Sequence, residues 1–262
     1  MSSAELVVDR SEPAVLQLFL NRPHQLNAWT VSLEAALFAA LDGARDDEDV
    51  RVVVISGRGR GFCAGASRDM LGGAARPNVP RRQLVELSTF PKPIIAAING
   101  PAIGIGLALA LACDIRFCSD DATLSTAFAK LGLIAEHATA WLLPRIVGRS
   151  VATDLLLSGR SVDGAEAARL GLVNFTAPQE RVVAEAVAYA RSLAQTCAPQ
   201  SWAVMKQQLL ESDVQDWAAA SKRSAELMEP ALASAEHREA VAAWRDKRAP
   251  IFASLNLRRP AR

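Results

Sequence analysis

The chain is poor in the groups that mark several common function classes. Its 262 residues include one tyrosine, and only three histidines and four cysteines. Cys63, Cys113, Cys118 and Cys197 form no Cys-x-x-Cys pair and have no histidines at matching spacing, so no metal site is expected. Thiols scattered in this way read as reduced, in a cytoplasmic protein. Charge of either sign is not in excess, 29 Lys plus Arg against 28 Asp plus Glu. That balance gives no general pull toward nucleic acid or an anionic membrane. No apolar run reaches the roughly 18 residues that span a bilayer; the richest, Ile94 to Ala112, is broken by Asn99, Gly100 and Pro101. The opening Met1-Ser2-Ser3-Ala4-Glu5 lacks the basic-then-apolar layout of a secretory signal. A phosphate loop of the Gly-x-x-x-x-Gly-Lys type is missing too.

What is present is apolar: half of the residues, enough for a large buried core in one domain or one domain with an appendage. Ala14–Leu20, Val50–Ile55, Ile94–Ile98 and Ile115–Cys118 read as strands. Thr30–Ala44 has helical spacing through Val31, Leu33, Ala36, Leu37 and Leu41. Pro80–Thr89 is predicted as a helix with Pro at its first turn, and Gly106–Cys113 as a buried helix. Beyond about residue 138 nearly everything reads as helix. There Asp163-Gly164-Ala165-Glu166 resembles a capping box with Gly171 as the stop. Gln179–Thr196, Pro199–Glu211 and Asp213–Trp244 follow. The layout predicts an α/β core over 1–195 and a C-terminal helical region over 196–262.

Two glycine-broken loops, each after an apolar strand, carry the chemistry. One is Ser56-Gly57-Arg58-Gly59-Arg60-Gly61-Phe62-Cys63-Ala64-Gly65-Ala66; the other is Ile98-Asn99-Gly100-Pro101-Ala102-Ile103-Gly104-Ile105-Gly106. Bare backbone amides on two adjacent loops can aim two N–H groups at one oxygen, the arrangement that holds an oxyanion. Gly59-x-Gly61-x-x-Ala64 matches a dinucleotide fingerprint only loosely, without the opening strand–helix unit or the closing acid. Cys63 has no assigned base and reads as a small apolar filler. His137 stands alone and reads as structural.

These loops, with Cys113-Asp114-Ile115-Arg116, resemble the crotonase (enoyl-CoA hydratase/isomerase) family. The similarity runs from Leu20-Asn21-Arg22-Pro23 and Leu26-Asn27-Ala28 through Leu131-Gly132-Leu133, Ser158-Gly159-Arg160 and Leu170-Gly171-Leu172-Val173 to Lys247-Arg248-x-Pro250-x-Phe252. The resemblance implies a spiral of ββα units followed by helices that build homotrimers, paired into hexamers, and that cover the active site. It implies an acyl-CoA substrate, with coenzyme A as part of that substrate and no tightly bound cofactor. The enolate oxygen would be held by the N–H groups of Ala66 and Ile105, with the dipole of the helix at Gly106 adding positive potential. Gln25, Leu26 and Ala64 match positions whose backbone lines the CoA. Lys247 matches one that reaches a phosphate on a neighbouring subunit's CoA, and Arg58, Arg60 and Arg68 are further phosphate candidates.

The departures from the family pattern are informative. The second donor position is commonly glycine; Ile105 serves there only if its backbone has an ordinary negative φ. The two positions where a hydratase of this family carries glutamates hold Ala108 and Phe128. A third acid position, used in isomerase-like branches, holds Glu136. Its neighbours are apolar, which favours a raised pKa and a better proton acceptor once ionised. The bland reading of Glu136 is a charge at a helix start, and that of Asp69 a turn cap. Met70–Pro80 is expected to border the acyl pocket. Two functions follow: an isomerase-like enzyme with Glu136 as single acid–base, or a non-catalytic acyl-CoA binder or carrier that has lost the hydratase glutamates.

Overall fold

Runs of β-branched residues form the centre of the structure, a computed structural model that describes residues 4–72 and 81–255. In chain order the elements are β1 (Leu6–Asp9), β2 (Val15–Leu20), α1 (Val31–Asp46), β3 (Val52–Gly57), α2 (Arg68–Leu71), β4 (Ile94–Ile98), β5 (Ala102–Ile103) and α3 (Ile105–Ala112). They continue with β6 (Ile115–Ser119), β7 (Leu124–Ser125), α4 (Thr139–Ser158), α5 (Gly164–Arg169), β8 (Phe175–Ala177), α6 (Val182–Thr196), α7 (Pro199–Ser212), α8 (Trp217–Leu232) and α9 (Ala235–Asp246). Six strands form one sheet in the order β1-β2-β3-β4-β6-β8, and β5 pairs with β7 in a second. Among the described strands, only the β1–β2 pair is antiparallel.

A mostly parallel sheet must be covered on both faces, so its strands are apolar at every position rather than at alternate ones. β3 and β4 show this. Val53, Ile55, Ile94, Ala96 and Ile98 pack on one side with Leu33, Leu37 and Leu41 of α1 and the apolar length of α3. Val52, Val54, Ile95 and Ala97 pack on the other side against Val182, Ala186, Ala190 and Ala194 of α6. α1 begins where Thr30 Oγ1 accepts the Leu33 N–H at 3.0 Å. The Cys113-Asp114-Ile115-Arg116 segment ties this core to the later helices. Asp114 accepts the Ile94 N–H at 2.7 Å and pairs with Lys206 of α7 at 2.5 Å. Arg116 is buried and donates to the carbonyls of Leu172 and Cys113.

The structure corrects several expected elements. β1, β5, β7 and β8 are two- to four-residue strands, too short to leave a periodic signal. Of the helix expected over Pro80–Thr89, Pro80 lies outside the described residues. The rest is a 3₁₀ turn over Leu84–Thr89 whose buried Leu84 and Leu87 recur every third residue. The continuous helix expected over Asp213–Trp244 is two helices, because Asp216 and Ser234 each cap a new start. The capping box at Asp163 is half made. Asp163 accepts the Glu166 N–H at 2.7 Å, but the Glu166 carboxylate pairs with Arg160 instead. Gly171, at φ +73°, follows the helix as expected. Among the described residues, no helix is long and apolar enough to cross a membrane.

Candidate active site

Two buried asparagines hold the first glycine loop. Asn27 donates to the Arg58 and Gly61 carbonyls at 3.0 and 2.7 Å. Asn99 donates to the carbonyls of Gly57 and Gly59 and accepts the Gly57 N–H. The loop then lies directly on the second one: Cys63 N–H donates to the Pro101 carbonyl, and Ile103 N–H returns to the Cys63 carbonyl at 3.0 Å. A Cβ on Gly106 would stand 2.1 Å from that same carbonyl, so only glycine lets the first turn of α3 seat against the loop. Burial pushes the Cys63 thiol up to about 12, which suits a packing residue and not a nucleophile.

This join leaves two backbone donors unpaired among the described residues. Trp29 N–H donates to the Gly65 carbonyl and Ser67 N–H to the Trp29 carbonyl, bracketing Ala66. The Ala66 N–H has no hydrogen-bond acceptor among the described residues. Ile105 is the first residue of α3, where no intrahelical acceptor exists, and its N–H also has none among the described residues. The left-handed backbone falls one residue earlier, at Gly104 with φ +54°. Ile105 itself is not among the positive-φ residues, so its β-branched side chain meets no backbone conflict.

Ala66 lines a cleft of about 620 Å³ together with Gln25, Leu26, Ser67, Asp69 and the cations Arg22 and Arg68. Ala64 adjoins it, its N–H donating to the Leu26 carbonyl at 2.9 Å. Lys247 does not line this cleft; it is exposed at the C-terminal end of α9, at φ +52°. Arg58 and Arg60 diverge from Arg68. Both border a separate cleft of about 480 Å³, with the Arg58 guanidinium 3.8 Å above the Phe19 ring. Of Met70–Pro80, residues 73–80 lie outside the described residues.

Ala108 and Phe128 are buried, and the Phe128 ring lies 3.9 Å from where a Gly104 Cβ would be. Glu136 is half-buried at a tight bend: His137 and Ala138 follow it at φ +52° and +58°. Two consecutive non-glycine residues in this region store strain that the surroundings must hold. The Glu136 carbonyl accepts both the N–H and the hydroxyl of Thr139, at 3.0 and 2.7 Å. His137 Nδ1 accepts the Leu84 N–H at 3.2 Å. A cap on α4 would need the Glu136 carboxylate to accept an N–H of that helix. It accepts none among the described residues. Burial raises its pKa; the Arg81 charge opposes the rise and the Glu34 charge adds to it.

Glu34 and Arg81 went unnoticed in the sequence. Glu34 is buried on α1, takes the Trp29 indole N–H at 3.0 Å, and is gripped by Arg81 through Nε at 3.0 Å and through a second guanidinium nitrogen. The available signal was phase: Glu34 lies three and seven residues before Leu37 and Leu41, on the apolar face of the helix.

His137 gives a pH prediction. Burial, then the Arg81 charge, lower its pKa below the ordinary 6.5, and protonation of Nδ1 would abolish its bond from Leu84. The unfolded chain therefore takes the proton first as pH falls through 6.5, and stability drops. Denaturation midpoints at pH 7.5 and 5.5 should show a loss that His137→Asn diminishes.

A model of the enoyl-CoA hydratase/isomerase family matches residues 10–255. The chain belongs to the enoyl-CoA hydratase/isomerase, or crotonase, family. Within it, the chain is 35% identical to a probable enoyl-CoA hydratase echA12 of Mycobacterium bovis, covering 94% of this chain and 92% of the relative. It is 33% identical to the 1,2-epoxyphenylacetyl-CoA isomerase of Escherichia coli, over 95% and 98% of the two chains. A solved structure of a probable enoyl-CoA hydratase/isomerase from Mycobacterium abscessus superposes with a TM-score of 0.88 at 32% identity, covering 96% and 99%. The sheet, the paired glycine loops and the C-terminal helices thus form the crotonase fold, and the protein is an acyl-CoA enzyme of that family.

Proposed function

We propose that this crotonase moves a double bond along an acyl-CoA, holding a thioester enolate on the Ala66 and Ile105 N–H groups while Glu136 carries the proton. The Glu136 carboxylate takes a proton from C2 and the electron pair moves onto the thioester oxygen. The two N–H groups and the N-terminus of α3 stabilise the charge that forms there. Protonated Glu136 then returns the proton at C4, the double bond now lies between C2 and C3, and no water is consumed.

The observation that carries this reading is a half-buried Glu136 in a chain whose two hydratase positions are filled by buried Ala108 and Phe128. Neither of those side chains can hold or activate a water molecule. Similarity to a solved monofunctional enoyl-CoA isomerase from M. smegmatis, at 33% identity and a TM-score of 0.72, supports the same chemistry. Gln25, Leu26 and Ala64 would line the CoA, with Arg22 and Arg68 facing its phosphates.

The test is product analysis. Incubated with a 3-enoyl-CoA, the protein should yield the 2-enoyl-CoA with little 3-hydroxyacyl-CoA; a predominantly hydrated product would contradict the assignment. Ala108 and Phe128 also favour a second reading, a binder or carrier that holds acyl-CoA without turnover. Tight binding with no product across several chain lengths would select it.

We further propose that residues 196–262 form a helical region that assembles the chain into a trimer or a pair of trimers. α8 buries no residue of its own within one chain. Leu209, Trp217, Trp244 and Ile251 are exposed, more apolar surface than isolated side chains need. In such a trimer Lys247 would serve a neighbouring subunit's CoA. The free cysteines, none of them paired, fit a cytoplasmic setting, and coenzyme A enters only as part of the substrate.

A further inference from the structure

The Glu34–Arg81 pair has no part in the reaction written above, yet it is tied to both loops of the proposed site. Trp29 connects it to the oxyanion loop: its backbone brackets Ala66, and its indole N–H holds one oxygen of Glu34. Arg81 grips both Glu34 oxygens. It stands three residues before Leu84, whose N–H fixes His137, so one short segment carries both Arg81 and the clamp on the Glu136 loop. An ion pair with Glu34 largely buried needs its remaining contacts satisfied to persist, and the Trp29 bond supplies one.

The charged groups that act on Glu136 are Arg81, from the segment before the 3₁₀ turn, and Glu34, from α1. His137, its neighbour in the loop, is biased toward the neutral form. An unpaired guanidinium here would find Glu136 as its alternative carboxylate, and an ion-paired Glu136 is a weaker base.

We propose that Glu34 is a positioning residue: it holds Arg81 in a bidentate pair and so keeps the guanidinium from closing onto Glu136. The inference rests on the reading of Glu136 as the proton carrier.

The test is the pH dependence of acyl α-proton exchange, measured with a saturated acyl-CoA in ²H₂O. Glu34→Gln keeps the acceptor for Trp29 but releases Arg81. The acid limb of its profile should move down by roughly one pH unit, with slower exchange at neutral pH. Arg81→Met should move the limb up, and adding Arg81→Met to Glu34→Gln should undo the downward shift. A slower Glu34→Gln with an unmoved limb, or a double variant that keeps the downward shift, would overturn the proposal and leave a structural role. If Glu34→Gln does not fold, Glu34→Asp decides, because its shorter side chain loosens the grip on Arg81 while keeping the charge: a lowered limb supports the proposal and an unmoved limb overturns it. Undiminished exchange in Glu136→Gln would instead show that the reading of Glu136 had failed, and the inference with it.

Discussion

Glu136→Gln should lower isomerisation of a 3-enoyl-CoA by roughly 10²- to 10⁴-fold, the range that a positioned general acid–base contributes. Glutamine fills the same space and keeps the bend at His137 and Ala138, but it cannot take up the C2 proton. The residues proposed to bind the CoA portion line a cleft that Glu136 does not line, so affinity for acyl-CoA should stay nearly unchanged. The loss belongs in kcat rather than KM. Because burial raises the Glu136 pKa above its ordinary 4.5, the native rate should fall with pH from a point above that value, as the base becomes protonated. Stopped kinetics with a measured Kd separates this outcome from a misfolded variant. Native-level turnover in Glu136→Gln would assign the proton to another group.

The second large effect concerns a donor that has no side chain. Ile105 occupies the first position of α3, the helical position that tolerates proline best, since proline's fixed φ suits it and the missing N–H makes no helix bond. The residue before it is Gly104, which has no Cβ to clash with the proline ring. Ile105→Pro thus deletes one N–H with little demand on the backbone. Removing one oxyanion donor typically costs about 2.7–4 kcal/mol, or ~10²- to 10³-fold in rate. Ile105→Ala is the control, because it loses the same buried side chain and keeps the N–H. Exchange rates should separate the two variants by that factor while their thermal midpoints stay close. Equal rates would remove Ile105 from the oxyanion site.

Much of the fold was legible because the signals were local. The strands at Val52–Gly57 and Ile94–Ile98 are continuous β-branched or aliphatic runs. The start of α1 carries its cap in Thr30. β5 and β7 are two residues each and are defined by pairing with one another and by bridges from Cys63 and Val162; nothing in their own sequence calls for a strand. Helix–strand order past residue 138 failed at β8 for the same reason, since Phe175–Ala177 is defined by its pairing with β6.

The candidate site divides in the same way. The family resemblance pointed to Ala66, Ile105, Gln25, Leu26 and Glu136, carried by the motifs around them. The Glu34–Arg81 pair joins residues 47 positions apart, and no local pattern announces a partner at that distance. What the sequence did offer was a carboxylate on the apolar face of α1, a burial that is rare without a paired charge. Lys247, in turn, does not line the Ala66 cleft of its own chain; in the proposed trimer it would meet a neighbouring subunit's CoA.

The central claim is that this chain breaks the C–H bond at C2 of a bound acyl-CoA. The most direct measurement follows the C2 hydrogens of a saturated acyl-CoA by NMR in ²H₂O with the native protein. Deuterium should steadily replace them, and Glu136→Gln should abolish the replacement. Saturable, tight binding with both C2 hydrogens retained would contradict the claim and leave an acyl-CoA binder on a crotonase fold.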